Sequence, residues 1–326
     1  MTAVLLATVL ILGDASAALH TAASNPGGDA DHAERFTPAY PAQPPPGTLY
    51  WGAAVAGNGD PVQRHEKPAN APLSIRRTFF RWQHIDSGWL ERIVRDDHAN
   101  GRLPWISVKT PPWAEVAAGR HDASIDRLLK LLGDTGRPVW LTVWHEPEND
   151  AGDEARRESM GSPADHLAMN RRFRQRLTAL EVENVALGPV LMAWTWDPRS
   201  DREPEAWWDG EVYDFLGIDI YRDREATVMT DVWFDVRRWA GEREVDIAVG
   251  EWGMRGRDRA AGERVRRWYE AAARSHDDDR SARVVALCAF DSHLNSPTGS
   301  WELRGEQLRV FQQLLSDPRT ASAIPD

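Results

Sequence analysis

The 326-residue sequence is expected to fold as a single (β/α)8 barrel, and three observations lead there. Eight short apolar runs recur from Thr48 onward, their starts 25 to 47 residues apart. The stretches between them carry apolar residues at helical spacing. No Pro/Gly/Ser-rich break divides the region, so about 270 residues hold eight strand–helix units, close to the roughly 250 typical of such a barrel.

The runs are Thr48–Val55, Thr78–Trp82, Leu103–Val108, Pro138–Trp144, Val185–Met192, Phe215–Tyr221, Val245–Gly250 and Val284–Phe290. Near-continuous apolar runs of this length suit parallel strands covered on both faces. Between them, Ser124–Leu132 places Ile125, Leu128, Leu129 and Leu132 on one helical face, and Pro163–Glu181 and Glu263–Arg274 mix Arg and Glu with apolar residues in the same way. An open doubly wound sheet fits less well. Gly57 and Gly59 are followed by Val62 where a dinucleotide-binding loop has a third glycine.

Ahead of the barrel, Ala3–Gly13 is apolar and leads into Ala15-Ser16-Ala17, the pattern of a signal peptide over 1–17, although Met1-Thr2 supplies no basic residue. That stretch is too short to span a bilayer, so a secreted protein without a membrane span is expected. Residues 18–47, rich in Ala, Pro and Gly and ending Pro44-Pro45-Pro46-Gly47, are expected to form a disordered linker. The barrel domain is assigned to 48–318 and a short tail to 319–326.

Fifty acidic residues against 39 basic ones give a net charge of −11, which offers no electrostatic reason to bind nucleic acid or an anionic membrane. Cys288 is the single cysteine, so no intrachain disulfide and no Cys-based zinc cage can form. Sixteen tryptophans, twice the phenylalanine count, supply flat apolar faces suited to a core or to stacking on sugar rings.

In a barrel of this kind chemistry belongs at the C-terminal ends of the strands. Arg81, Gln83, Lys109, His145, Glu146, Tyr221, Glu251, Asp291 and His293 gather there. Two glutamates stand out by context. Val139–Trp144 runs directly into His145-Glu146-Pro147 at the end of the fourth run, and Ile247–Gly250 runs into Glu251-Trp252-Gly253 at the end of the seventh. Strands four and seven face each other across a closed eight-stranded mouth, so the two carboxyls can converge on one molecule. Glycoside hydrolysis needs such a pair, one to protonate the leaving oxygen and one to meet the developing oxocarbenium centre. Glutamates after strands also cap helices or pair with arginine, and 36 arginines are available here. Trp194, Trp196 and Trp252 are candidates for a stacking floor, with core packing as the competing use.

These residues resemble the clan of retaining (β/α)8 glycoside hydrolases. Most of that clan has Asn before the acid/base glutamate; His145 is the variant found in family 26, the β-mannanase family. Met192-Ala193-Trp194-Thr195-Trp196-Asp197-Pro198 is similar to that family's strand-five pattern, and Trp208–Tyr221 to its strand-six region. The resemblance covers roughly residues 50–315. It implies Glu146 as general acid/base, Glu251 as nucleophile, Tyr221 as hydrogen-bond donor to the nucleophile and His145 as neighbour to sugar and acid, with no cofactor or metal. A polysaccharide or oligosaccharide is the partner implied, for a chain acting as a monomer. Two departures bear on the sugar. The run Glu146-Pro147-Glu148-Asn149 lacks the family's Asn two residues after the acid, and Phe290-Asp291-Ser292-His293 lacks a strand-eight tryptophan for which Trp301 is the substitute candidate. The expected activity is therefore retaining hydrolysis of β-mannan or a related glycan. The alternatives are a xylanase or glucanase of the same clan, or an inactive carbohydrate-binding barrel.

Other chemistries fail on spacing. A zinc-protease helix needs His four residues after His145, where Asn149 stands, and Pro147 opposes that helix. No Gly-x-Ser-x-Gly elbow and no P-loop lysine exist. Asp277-Asp278-Asp279 lacks the glycine and spacing of a calcium loop, and Cys288 reads as a small buried hydrophobe.

Overall fold

Alternation along the strands sorts the side chains of this barrel into an inner and an outer set, and the inner set changes character with height. In the computed structural model the described residues are 36–151, 159–222, 231–278, 280–294 and 299–323, and the compact body is Thr37–Asp326. The expected signal peptide lies outside the described residues, as does most of the expected linker.

Nine parallel strands form one sheet: β1 (Tyr50–Val55), β2 (Ile75–Arg81), β3 (Leu103–Lys109), β4 (Val139–Val143), β5 (Val185–Leu187), β6 (Val190–Met192), β7 (Leu216–Arg222), β8 (Ile247–Met254) and β9 (Val284–Asp291). The order is β5-β4-β3-β2-β1-β9-β8-β7-β6. Its two ends are halves of one strand, broken at Gly188-Pro189. Proline has no N–H for a ladder, and the chain bridges the break by donating from Gly188 N to Leu141 O (3.0 Å) on one side and accepting from Gly217 N at Pro189 O (2.9 Å) on the other. The fold is a (β/α)8 barrel, with the expected fifth run split in two.

Helices cover the outside. Asp122–Gly133 buries Ile125, Leu128, Leu129 and Leu132 completely, the face expected from their spacing. Pro163–Ala179 starts with proline in its first turn behind Ser162, whose hydroxyl accepts from Asp165 N while its own N–H donates to Asp165 Oδ2 (2.8 Å). Arg259–Arg274 is capped by Asp258, which accepts from Ala261 N (2.9 Å).

Inside, the lower layer is apolar: Tyr50, Ile75, Leu103, Trp105, Trp140, Val190, Phe215, Ala248, Ala286 and Cys288 pack together. Trp140 and Phe215 lie 4.5 Å apart between ring centroids, and Trp105 meets both edge-on. Tyr40 closes this layer from beneath. Its hydroxyl donates to Asp246 Oδ2 (2.9 Å), and Pro41 O accepts from Trp140 Nε1 (2.9 Å). The ordered body therefore begins before the boundary expected at Thr48, because one aromatic in a Pro/Ala-rich stretch has a hydrophobic floor to seal. The C-terminal stretch from Arg319 likewise packs rather than trails: Thr320 bridges Leu49, and Ala321 is buried.

Trp140 carries the lower layer. Trp140→Ala is expected to cost about 3–5 kcal/mol, measured by denaturant unfolding, with a larger loss than Phe234→Ala on the exposed face of helix Asp231–Gly241.

Candidate active site

Above Trp105 the interior turns from apolar to charged, and the change begins at Arg77. Its neighbours in β2 alternate with it: Ile75, Arg77 and Phe79 point inward, while Arg76 points out and pairs with Asp97 (2.9 Å). Arg77 is fully buried between the rings of Phe79 and Trp105, at 5.1 and 5.0 Å. Its Nη1 donates to Asp219 Oδ1 at 2.7 Å and lies 3.6 Å from Glu251 Oε1. Burial works against the guanidinium charge, but Asp219 and Glu251 outweigh it and hold the pKa above its ordinary value.

Glu251 reaches this position through an irregularity in β8. Ile218 pairs with Val249 but Asp219 pairs with Glu251, so Gly250 is an extra residue. Such a bulge re-aims the side chains that follow it. Glycine is required: a Cβ at position 250 would sit 1.9 Å from Arg77 Nη1. After the bulge Glu251 faces the barrel interior and Trp252 faces the helices, stacked on Trp51 at 5.5 Å. Tyr221 donates its hydroxyl to Glu251 Oε2. Burial and the nearby carboxylates of Glu251 and Asp219 push the phenol well above its usual range, so it stays a donor.

Glu146 comes from the opposite wall on a turn of two positive φ values, 62° at Trp144 and 51° at Glu146, unusual for side chains with a Cβ. The turn is held by backbone bonds from Trp144 N to Val108 O (2.9 Å) and from Glu146 N to Val190 O (2.7 Å). Burial pushes the Glu146 carboxyl up to about 7, and the Glu251 charge adds to the effect; Arg77, Lys109 and a hydrogen bond from Asn149 (3.1 Å) pull the other way. His145 is fixed by Ser107 Oγ at 3.1 Å from Nδ1 and meets Phe79 edge-on. Burial, Lys109 and Arg77 press its pKa well below the usual value, leaving a neutral imidazole.

One oxygen from each of Glu146, Asp219 and Glu251 falls within 4.8 Å of the others. A cation could be enclosed by such a set, but Arg77 already supplies positive charge to two of its members. The cavity above has a volume of about 840 Å³ and takes in Asn58, Phe79, Phe80, Arg81, His84, Trp89, Lys109, His145, Glu146, Asn149, Tyr221, Glu251, Phe290 and Trp301 among its lining. A carboxyl pushed up to about 7 and a second one aimed by Tyr221 and Arg77 on the facing wall can deliver a proton and a nucleophile to one bond.

Of the residues singled out from sequence, Glu146, Glu251, His145, Tyr221, Trp301, Arg81 and Lys109 are together at this cavity, whereas Gln83, His293 and Asp291, the last paired with Arg64 and His65, do not line it. Trp301 packs beside Tyr221 at 4.9 Å. The three other tryptophans are elsewhere. Trp252 is turned away by the Gly250 bulge, Trp196 is buried edge-on to Trp239 at 5.4 Å, and Trp194 is 43% exposed beneath Arg199. None of the three lines the cavity. Arg77 and Asp219 were not singled out. Arg77 fell just before the run expected to start at Thr78, whereas Asp219, two residues from Tyr221 in an apolar strand, carried a readable period-two signal.

Glu148, where the family pattern has Asn, is buried and points into the wall. Its Oε1 accepts from Met192 N (2.5 Å) and Thr195 Oγ1 (2.8 Å), tying the turn of Glu146 to the end of the split fifth strand.

No protein-family model matches the sequence, and no curated protein matches it. Solved structures do match in shape. A β-mannanase from a symbiotic protist of the termite Reticulitermes speratus, complexed with gluco-manno-oligosaccharide, gives a TM-score of 0.58 at 14% identity, over 88% of this chain and 96% of that one. A family 26 β-mannanase from Bacteroides ovatus gives 0.55 at 14% identity, over 84% and 89%. A mannanase from Bacillus subtilis gives 0.55 at 13%, over 83% and 86%. The chain has the fold of the family 26 β-mannanases.

Burial pushes the Glu148 carboxyl up to about 7. A carboxyl whose folded pKa exceeds its unfolded value favours folding when protonated, and that contribution is lost as pH rises through the folded value. Thermal stability should fall between pH 5 and 8, and Glu148→Gln, which keeps the accepting oxygen, should flatten that fall when melting is followed across the range.

Proposed function

We propose that the protein is a retaining glycoside hydrolase acting on a β-linked polysaccharide, with β-mannan the first candidate. The observation that carries the reading is the approach of Glu146 and Glu251, whose nearest oxygens lie within 4.8 Å. Carboxyl groups about 5 Å apart suit double displacement, whereas inverting enzymes leave a wider gap for water. Glu146, protonated near neutrality, gives its proton to the glycosidic oxygen as the C1–O bond breaks. Glu251, aimed by Tyr221 and backed by Arg77, attacks C1 from the opposite face to form a covalent glycosyl ester. The leaving sugar departs. Glu146, now a carboxylate, removes a proton from water, and that water displaces Glu251 with net retention. Trp301 and the aromatic lining offer apolar faces for the sugar rings.

The mannanase fold favours mannan, and the departure at Glu148 keeps xylan and mixed-linkage glucan in the panel. Residues 1–17 are read as an export signal, which would deliver the enzyme to extracellular polymer as a monomer. No helix among the described residues is long and apolar enough to cross a membrane.

Reducing-end release from mannan, xylan and mixed-linkage glucan tests the activity directly. Glu146→Ala and Glu251→Ala should each lower turnover by several orders of magnitude with the fold retained by circular dichroism; near-wild-type turnover in either would overturn the assignment. With an activated substrate, azide should partly rescue Glu251→Ala and yield the glycosyl azide of inverted configuration, because it enters from the face the carboxylate has left. The kcat/KM profile should decline above pH about 7, as Glu146 loses the proton it must donate. Asn149→Ala removes a bond that favours the carboxylate and should move that limb to higher pH.

A further inference from the structure

The cavity is not uniform in charge. At its β2 side, Arg81 stands at the end of the strand beside Lys109, its register partner on β3. Like charges placed side by side on neighbouring strands repel. Lys109 has partners of its own, donating to His145 O at 2.9 Å and lying over the Trp144 ring. Arg81 is exposed to the cavity and pairs with no carboxylate among the described residues. Of the carboxyls facing this space, burial pushes Glu146 up to about 7, so that it carries only part of its charge near neutrality, and Glu251 is engaged by Tyr221 and Arg77. In a chain of net charge −11, the β2 wall is a local positive region.

The same wall carries a built surface for a ring. The short turn Trp82–Ser87 folds back so that His84 Nδ1 accepts from Arg81 N (3.2 Å), which makes Nε2 the imidazole's available N–H. His84 and Phe80 both meet Trp89 edge-on, at 5.0 and 5.1 Å, and all three line the cavity with Arg81. An aromatic group, an imidazole donor and an arginine fork in one place match a pyranose bearing a carboxylate.

We propose that this wall is a subsite for a uronate unit of the substrate, its carboxylate accepting from Arg81 and its ring set against Trp89. The assignment of the ligand as a sugar rests on the glycosidase reading above. An arginine fork serves a carboxylate better than a hydroxyl, because both N–H donors then meet a charged acceptor. A negatively charged enzyme would otherwise repel an acidic polymer, and a local positive wall offsets this at short range.

Affinity and turnover test it separately. Calorimetry on the wild-type protein compares β-1,4-linked trisaccharides of mannuronate and glucuronate with mannotriose and cellotriose, each pair differing only in the carboxylate at C6. One uronate should bind about tenfold or more tighter than its neutral counterpart, with the ratio shrinking as salt rises. Arg81→Gln should bring that ratio close to one, and Arg81→Lys should retain part of it. Equal or weaker uronate binding for both pairs, or a ratio unchanged in Arg81→Gln, overturns the subsite. Hydrolysis of neutral polymers without any uronate preference would leave the glycosidase and remove the subsite. Arg81-dependent uronate binding with no hydrolysis of C6-oxidised or parent mannan and glucan would do the reverse.

Discussion

A guanidinium buried at mid-height in the barrel sets the terms for everything above it. Taking Arg77 out of water is costly, and the cost is offset only by Asp219 at 2.7 Å, by Glu251 close by and by the two aromatic faces that enclose it. Removing one partner from such a set typically costs about 3–5 kcal/mol, since the charge left behind has no water to turn to. The arrangement therefore fixes more than a pair. It holds Asp219 in the strand that delivers Tyr221, and its head fills the space a Cβ at position 250 would take, so the bulge that turns Glu251 inward tolerates only glycine there. Tyr221 then closes the circuit on Glu251. The nucleophile candidate is placed by a chain of necessity that begins one layer below it.

The acid candidate is placed by different means. Glu146 sits on strained backbone, kept there by the end of the split fifth strand through Val190, Met192 and the Glu148 carboxyl. One wall is electrostatic and rigid, the other a sprung turn with a raised pKa. The two carboxyls thus sit in different surroundings, Glu146 pushed up to about 7 by burial and Glu251 bonded to Tyr221 beside Arg77.

Much of this could be read before any coordinates. Eight apolar runs and their spacing gave the barrel, and the ends of the fourth and seventh runs gave Glu146 and Glu251, because strand length and burial leave a one-dimensional trace. Tyr221 and His145 followed from the family resemblance. What escaped was whatever depends on parity or on contact across the barrel. Trp252 was a candidate for the stacking floor beside Glu251, but adjacent strand residues face opposite ways, and after the extra residue at Gly250 it is Glu251 that faces in and Trp252 that faces out. Arg77 was legible only as a charge before a strand, since nothing in its own neighbourhood names Asp219 as its partner. Trp194 and Trp196 shared a motif, yet a short turn after β6 sends both away from the mouth. Tyr40, in a stretch whose composition suggested no structure, was drawn in by a hydrophobic floor formed far along the chain.

That floor has a directional meaning. The chain enters beneath the barrel at Tyr40 and returns there at Thr320 beside Leu49, while the cavity opens at the opposite pole. The first and last described segments therefore meet at the closed pole, on the side of the barrel away from Glu146 and Glu251. Sealing the floor and lining the cavity thus fall to separate parts of the described chain, so a change at Tyr40 or Ala321 loosens the base without removing any side chain from the mouth.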